Sequence, residues 1–163
     1  IAGNTSLLIA GEYLSNINNG KGLMLGGISG LSPTSVVIIG AGTVGEYACR
    51  TALGLGCNVK VFDSSLSRLR RLHQHTQRNV STSLIQPKSL RKSLKRADVV
   101  IGALRSGDGR TPCVVSETMV KDMKETHKIW VENTNNLQKL LTDTLYYDTM
   151  NTLNYQKEHH ANT

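Results

Sequence analysis

The longest stretch of β-branched residues in the chain, Val36-Val37-Ile38-Ile39, ends abruptly at Gly40, which predicts a strand buried on both faces and a turn straight after it. Other segments show helical spacing. Leu7, Ala10, Leu14 and Ile17 recur in steps of three and four and predict a helix over residues 5–18, capped by Asn4, Thr5 or Ser6 and stopped by Asn18-Asn19-Gly20. Residues 43–55 predict a second helix, with Val44, Tyr47, Ala48, Ala52 and Leu55 on one face. From there strand-like and helix-like segments alternate: a strand through Val59-Lys60-Val61-Phe62-Asp63, a helix over Leu66–His75, and a strand over Val80–Leu84. A helix over Lys88–Arg96, opened by Pro87, follows, then a strand at Asp98-Val99-Val100-Ile101. Ser116 caps a short helix over Glu117–Met123, and Ile129-Trp130-Val131 predicts a fifth strand. This alternation is the pattern of an α/β domain with a parallel sheet.

Two stretches fall outside the alternation. Residues 20–34 are glycine-rich, with Gly20, Gly22, Gly26, Gly27, Gly30 and Pro33, and read equally as a mobile segment near a ligand or as a connector. Glycine is absent after Gly109, and the end of the chain is rich in Asn and Thr. Leu137, Leu140, Leu141 and Leu145 give a weak helical signal there, and Tyr155–Thr163 reads as a frayed end. The predicted organisation is a linking helix and glycine-rich loop over residues 1–34, a nucleotide-binding domain over 35–135, and a divergent tail over 136–163.

Composition narrows the picture. A chain of 163 residues suits one domain, and with 39% hydrophobic but 4% aromatic residues its core must be aliphatic. No apolar run approaches the ~18 residues of a membrane span, so no membrane partner is expected. The start, Ile1-Ala2-Gly3-Asn4, has neither Met nor a signal-peptide layout, from which a fragment of a longer, cytoplasmic protein is expected. Cys49, Cys57 and Cys113 lack metal-site spacing and read as reduced thiols. The net charge of +7 is concentrated at Arg68, Arg70, Arg71 and at Lys88, Arg91, Lys92, Lys95, Arg96. Leu69, Leu72, Leu90 and Leu94 interleave with these at helical spacing, so they read as solvated helix faces, not as a nucleic-acid surface. His73 and His75 stand two apart, share no helical face, and predict no metal site.

The candidate chemistry lies at Gly40-Ala41-Gly42-Thr43-Val44-Gly45, a G-x-G-x-x-G turn between a strand and a helix. An acidic residue, Asp63, closes the next strand roughly 20 residues on, the spacing of a dinucleotide-binding fingerprint. Gly40 permits the tight turn, Gly42 lets a pyrophosphate approach the backbone, and Gly45 brings helix close to sheet. Free amides and the helix dipole would hold the phosphate charge. Asp63 would accept from ribose hydroxyls and repel a 2′-phosphate, favouring NAD over NADP. Gly102 and Ala103, at the end of the fourth strand, would be small because cofactor passes close by. The predicted fold is a Rossmann-type doubly wound parallel sheet preceded by a linking helix.

Ile39-Gly-Ala-Gly-Thr-Val-Gly45, Ala52-Leu-Gly-Leu-Gly56, Val61-Phe-Asp63, Arg68-Leu-Arg70 and Arg96-Ala-Asp-Val-Val-Ile-Gly-Ala103 together resemble the NAD-binding domain of alanine dehydrogenases. Ala2-Gly-Asn-Thr-Ser, Gly26-Gly-Ile-Ser-Gly30 and Glu117-Thr-Met-Val-Lys121 extend the resemblance over about residues 1–124. That family shares its fold with the NAD-binding part of proton-translocating transhydrogenases. The resemblance implies NAD-linked oxidation of L-alanine to pyruvate and ammonia, a homo-oligomer, Arg68 against the adenosine and Leu104 beside the nicotinamide. The family's catalytic lysine, histidine and substrate-binding arginine belong to a region not represented here. Its catalytic aspartate falls near Asn135, and an amide cannot do a carboxylate's proton work. No catalytic residue is therefore assigned, and this chain is expected to bind NAD without completing catalysis. The alternatives are the NAD-binding domain of a transhydrogenase and a degenerate NAD-binding module without catalysis.

Overall fold

The computed structural model describes residues 1–15, 22–76, 80–104, 114–123 and 129–132. The elements run α1 (Ala2–Ser15), β1 (Ser35–Ile39), α2 (Thr43–Gly54), β2 (Asn58–Asp63), α3 (Leu66–His75), β3 (Ser81–Leu84), α4 (Pro87–Leu94), β4 (Val99–Gly102), α5 (Glu117–Lys121) and β5 (Ile129–Glu132). They lie within a compact unit spanning Ile1–Asn133; the second unit, Thr134–Thr163, is outside the described residues. The expected leucine helix, the frayed end and Asn135 all fall there.

All five strands are parallel, in the order β3-β2-β1-β4-β5. Val36 pairs with Val59 and Val99, and Ile39 with Phe62 and Gly102. Strand alternation sends successive residues of β1 to opposite faces. Val37 and Ile39 join Phe62, Val100, Leu90, Leu94, Ala97 and Met123 in one core. Ile38, with its neighbours Val61 and Ile101, is buried on the other face. A strand buried on both sides is why β1 and β4 read as unbroken apolar runs.

The basic helices are amphipathic as their spacing implies. Leu69 and Leu72 anchor α3, and Leu90 and Leu94 anchor α4. Each buried leucine contributes about 1.5–3 kcal/mol. This outweighs the half-exposed bond from Arg91 Nε to Asp122 Oδ2 at 2.7 Å between α4 and α5, since exposed ion pairs contribute about 0–1 kcal/mol.

Two details differ from the sequence reading, and a third decides between two readings that it left open. Helix α1 begins at Ala2, before the expected caps, because the Ile1 carbonyl accepts from Asn4 N and Thr5 N at 3.0 Å and from Thr5 Oγ1 at 3.2 Å. A Cβ on Gly3 would stand 2.8 Å from Ala48 N, so α1 packs nearly backbone to backbone on α2. Second, the buried face of α2 is Gly45, Ala48, Cys49 and Ala52. Tyr47 and Leu55 are 45% and 43% exposed, because a helix pressed this close accepts only small side chains; Tyr47 instead lies beneath the Arg50 guanidinium.

Third, the glycine-rich loop is a connector. Gly27 N donates to Leu55 O (3.1 Å), and Thr34 donates and accepts across to Gly26 and Asn58 (2.9 Å each). These bonds tie the loop to the far end of α2, away from Gly42.

Cys49 and Cys57 are free and buried. Burial, aided by Glu46 and opposed by Arg50, pushes the Cys49 thiol up from 9.0 to about 12; burial pushes Cys57 up to about 11. The native chain therefore keeps protons that the unfolded chain releases. This stabilisation is complete below about pH 9 and is lost as pH rises through 11 and 12, at roughly 1 kcal/mol per pH unit for each thiol. Urea unfolding at about pH 8 and pH 10 checks this; equal stabilities would mean that the thiols titrate normally.

Candidate functional site

The carboxyl ends of β1, β2 and β4 meet at one place, and the predicted site residues lie at those strand ends, on the turns that leave them, or in the first turns of α2 and α3. After Ile39 the chain turns at Gly40, whose φ is +113°. Its N–H donates to Phe62 O at 2.6 Å. A Cβ there would run into the Ala103 carbonyl, with the carbonyl carbon 2.7 Å away. Gly45 sits over the same turn, and its missing Cβ leaves room for the Gly40 carbonyl, whose carbon would lie 2.9 Å from it. Gly42 is different: nothing lies within 4 Å of where its Cβ would be. It is the N-cap of α2, in extended conformation with no capping side chain.

Its carbonyl accepts from Glu46 N at 2.9 Å, while the amides before it, of Thr43, Val44 and Gly45, have no acceptor within the helix. They end in an open space at the positive end of the helix dipole, which suits an anion. Glu46, in that first turn, would oppose an anion. His75 Nδ1 lies 2.9 Å from its Oε1, and Arg50 reaches the same oxygen at 3.4 Å.

Asp63 ends β2 and is 1% exposed. Its Oδ2 accepts from Ala41 N and its Oδ1 from Ser65 N, both at 2.7 Å. Arg68 Nη1 lies 3.9 Å from Oδ2. The carboxylate thus locks the glycine turn to the end of β2. Two of its roughly four lone-pair sites are thus committed to the fold, and the others remain for a ribose.

Gly102 pairs with Ile39 in the sheet, and Ala103 N donates to Ile39 O at 2.7 Å. The Ala103 methyl lies 3.5 Å from where a Gly45 Cβ would stand, so a larger side chain there would press on the start of α2. The Leu104 side chain packs on the core beneath α4 and α5.

The sequence reading missed Arg71, whose Nη2 donates to the Ala41 carbonyl at 3.5 Å. Its one signal was its place three residues after Arg68 on the same helical face. It also missed the Glu46–His75 bond, which joins residues far apart in sequence. Among the described residues, no His, Cys, Asp or Glu cluster could hold a metal, and no helix is long and apolar enough to cross a membrane.

A parallel sheet in this order, with a glycine turn feeding an uncapped helix at its switch point, defines a Rossmann-type α/β domain. Comparison with known proteins takes the assignment further. A family model described as alanine dehydrogenase/PNT, C-terminal domain, matches residues 6–129, and the chain belongs to that family.

It is 36% identical over 125 residues to an alanine dehydrogenase of Staphylococcus haemolyticus (strain JCSC1435), covering 77% of this chain and 34% of the relative. To an alanine dehydrogenase of Methanococcus maripaludis it is 36% identical over 124 residues, 76% and 33% of the two chains. A solved L-alanine dehydrogenase superposes with a TM-score of 0.74 at 31% identity, over 80% of this chain and 36% of that one. A transhydrogenase from Sinorhizobium meliloti (TM-score 0.63, 18% identity, 77% and 35% covered) shares the fold. The chain thus spans about a third of the length of the curated relatives it matches.

Proposed function

We propose that this chain is the NAD(H)-binding part of an alanine-dehydrogenase-like oxidoreductase, which converts L-alanine and NAD to pyruvate, ammonia and NADH. The observation that carries this reading is the open side of Gly42 above the unpaired amides of α2, flanked by Gly40 and Gly45, where a Cβ would not fit. A diphosphate suits such a cradle by charge, and Gly42 has no Cβ to stand in its way. Gly40, Ala41, Gly42, Thr43, Val44 and Gly45 would hold it. Asp63 and Arg68 would face the adenosine ribose, and Gly102, Ala103 and Leu104 would border the nicotinamide side. When bound, the nicotinamide supplies the hydride acceptor. The residues described here bind and orient it, and the groups that move the amino acid's protons come from the rest of the enzyme.

Fluorescence titration with NADH and NADPH tests the proposal. NADH is expected to bind at least about tenfold more tightly, a difference of roughly 1.4 kcal/mol, because a 2′-phosphate would approach the Asp63 carboxylate. Absence of NADH binding by a chain that circular dichroism shows to be folded would sink the reading. Alanine-dependent NADH formation by this chain alone would overturn its restriction to the cofactor part. Turnover that needs a second nucleotide instead of alanine would favour a transhydrogenase.

A further inference from the structure

Arg68, Arg71 and His75 stand at i, i+3 and i+7 on α3, so they form one stripe. The stripe faces the glycine turn and the start of α2. At its two ends the partners are carboxylates: Arg68 lies 3.9 Å from Asp63 Oδ2, and His75 lies 2.9 Å from Glu46 Oε1. Arg71, between them, meets the neutral carbonyl of Ala41. Among the described residues it has no carboxylate partner.

The local charges make this informative. Asp63 is matched by Arg68, and Glu46 by Arg50 and His75. Arg71 therefore adds a positive charge beside Ala41, one residue from the open side of Gly42. Its contact with the carbonyl, at 3.5 Å, is long for an N–H···O bond. A guanidinium carries several donors in a planar fork, so one can stay on Ala41 while others turn to an anion. A phosphate oxygen would form a shorter, charge-assisted bond.

We infer that Arg71 is a binding and positioning residue for the diphosphate bridge of a dinucleotide, holding the Ala41 carbonyl with one donor and a phosphate oxygen with another. The inference rests on the nucleotide-binding reading above and adds to it a residue outside the glycine fingerprint.

The test compares Arg71→Met with Arg70→Met, which removes the same charge from an exposed position on the same helix. NADH and NADPH are titrated directly, and ADP and adenosine by displacement of NADH. Arg71→Met is expected to weaken NADH, NADPH and ADP alike by about tenfold, to leave adenosine unchanged, and to flatten the salt dependence of NADH binding. Arg71→Lys should recover part of the loss, and Arg70→Met should bind like the parent chain.

Equal binding by the Arg71→Met and Arg70→Met variants would overturn the inference. So would a loss confined to NADPH, which would place Arg71 at the 2′-phosphate, or a fall in melting temperature with no recovery in the lysine variant, which would make its role structural. If the parent chain bound no NADH, the nucleotide reading would fail, and this inference with it. If the parent bound NADH and Arg71→Met matched it, only this inference would fail.

Discussion

Replacing Gly45 with alanine is expected to abolish NADH binding and to destabilise the chain by roughly 3 kcal/mol. Helix propensity works in the opposite direction, since alanine is better than glycine in a helix interior by about 1 kcal/mol. The steric term wins because the atom in the way cannot retreat. A Cβ on Gly45 would overlap the Gly40 carbonyl oxygen. Gly40 is itself held in place: its N–H is bonded to Phe62 O at 2.6 Å, and the Ala103 carbonyl fills the space where its Cβ would be. Relief would require α2 to lift from the sheet, which would uncover Ala48, Cys49 and Ala52 and open the packing against α1. Urea unfolding, read with an NADH titration, measures both effects. A Gly45→Ala chain of parental stability that still binds NADH would show that the helix does not sit this close.

The second large effect is expected at Asp63. Asp63→Asn should cost about 3 kcal/mol of stability, since bonds to a charged acceptor are worth roughly 1.5–3 kcal/mol each. The carboxylate accepts two main-chain N–H groups, one per oxygen, at 2.7 Å, and is almost wholly buried. The amide keeps one acceptor. Its NH₂ would then face either Ala41 N–H or Ser65 N–H, donor against donor, with no water to intervene.

A carboxylate that served only to choose between ribose and 2′-phosphate would give a variant that exchanges NADH for NADPH at little cost. Here the same group holds the glycine turn in place, so both nucleotides are expected to bind more weakly, and the preference is expected to narrow without inverting. Parallel titrations with the two nucleotides, beside a urea curve, separate these cases. A stable variant that prefers NADPH would show that Asp63 acts on the ribose alone.

The sequence by itself determined the elements and the candidate site carried by short-range spacing. Val36–Ile39 with Gly40, Gly42 and Gly45 marked a strand, a turn and a helix; Leu69, Leu72, Leu90 and Leu94 marked two basic helices as solvated faces. Asp63 was placed at the end of β2, where the structure puts it. These features rest on periodicities of two or three to four residues and on local turn geometry, which a chain carries wherever it folds.

The tertiary structure alone decided the strand order, the true starting point of α1, and which residues of α2 could be large. It also decided that Asp63 locks the turn and that Arg71 reaches Ala41. Apart from the start of α1, which rests on local bonds to the Ile1 carbonyl, each of these depends on contacts between segments tens of residues apart. Local pattern says which face of an element is apolar, but not which atoms of another element will meet it or how closely. Gly3 shows the difference: as sequence it is a poor helix residue near a terminus, and in the fold it is where α1 and α2 come within backbone contact.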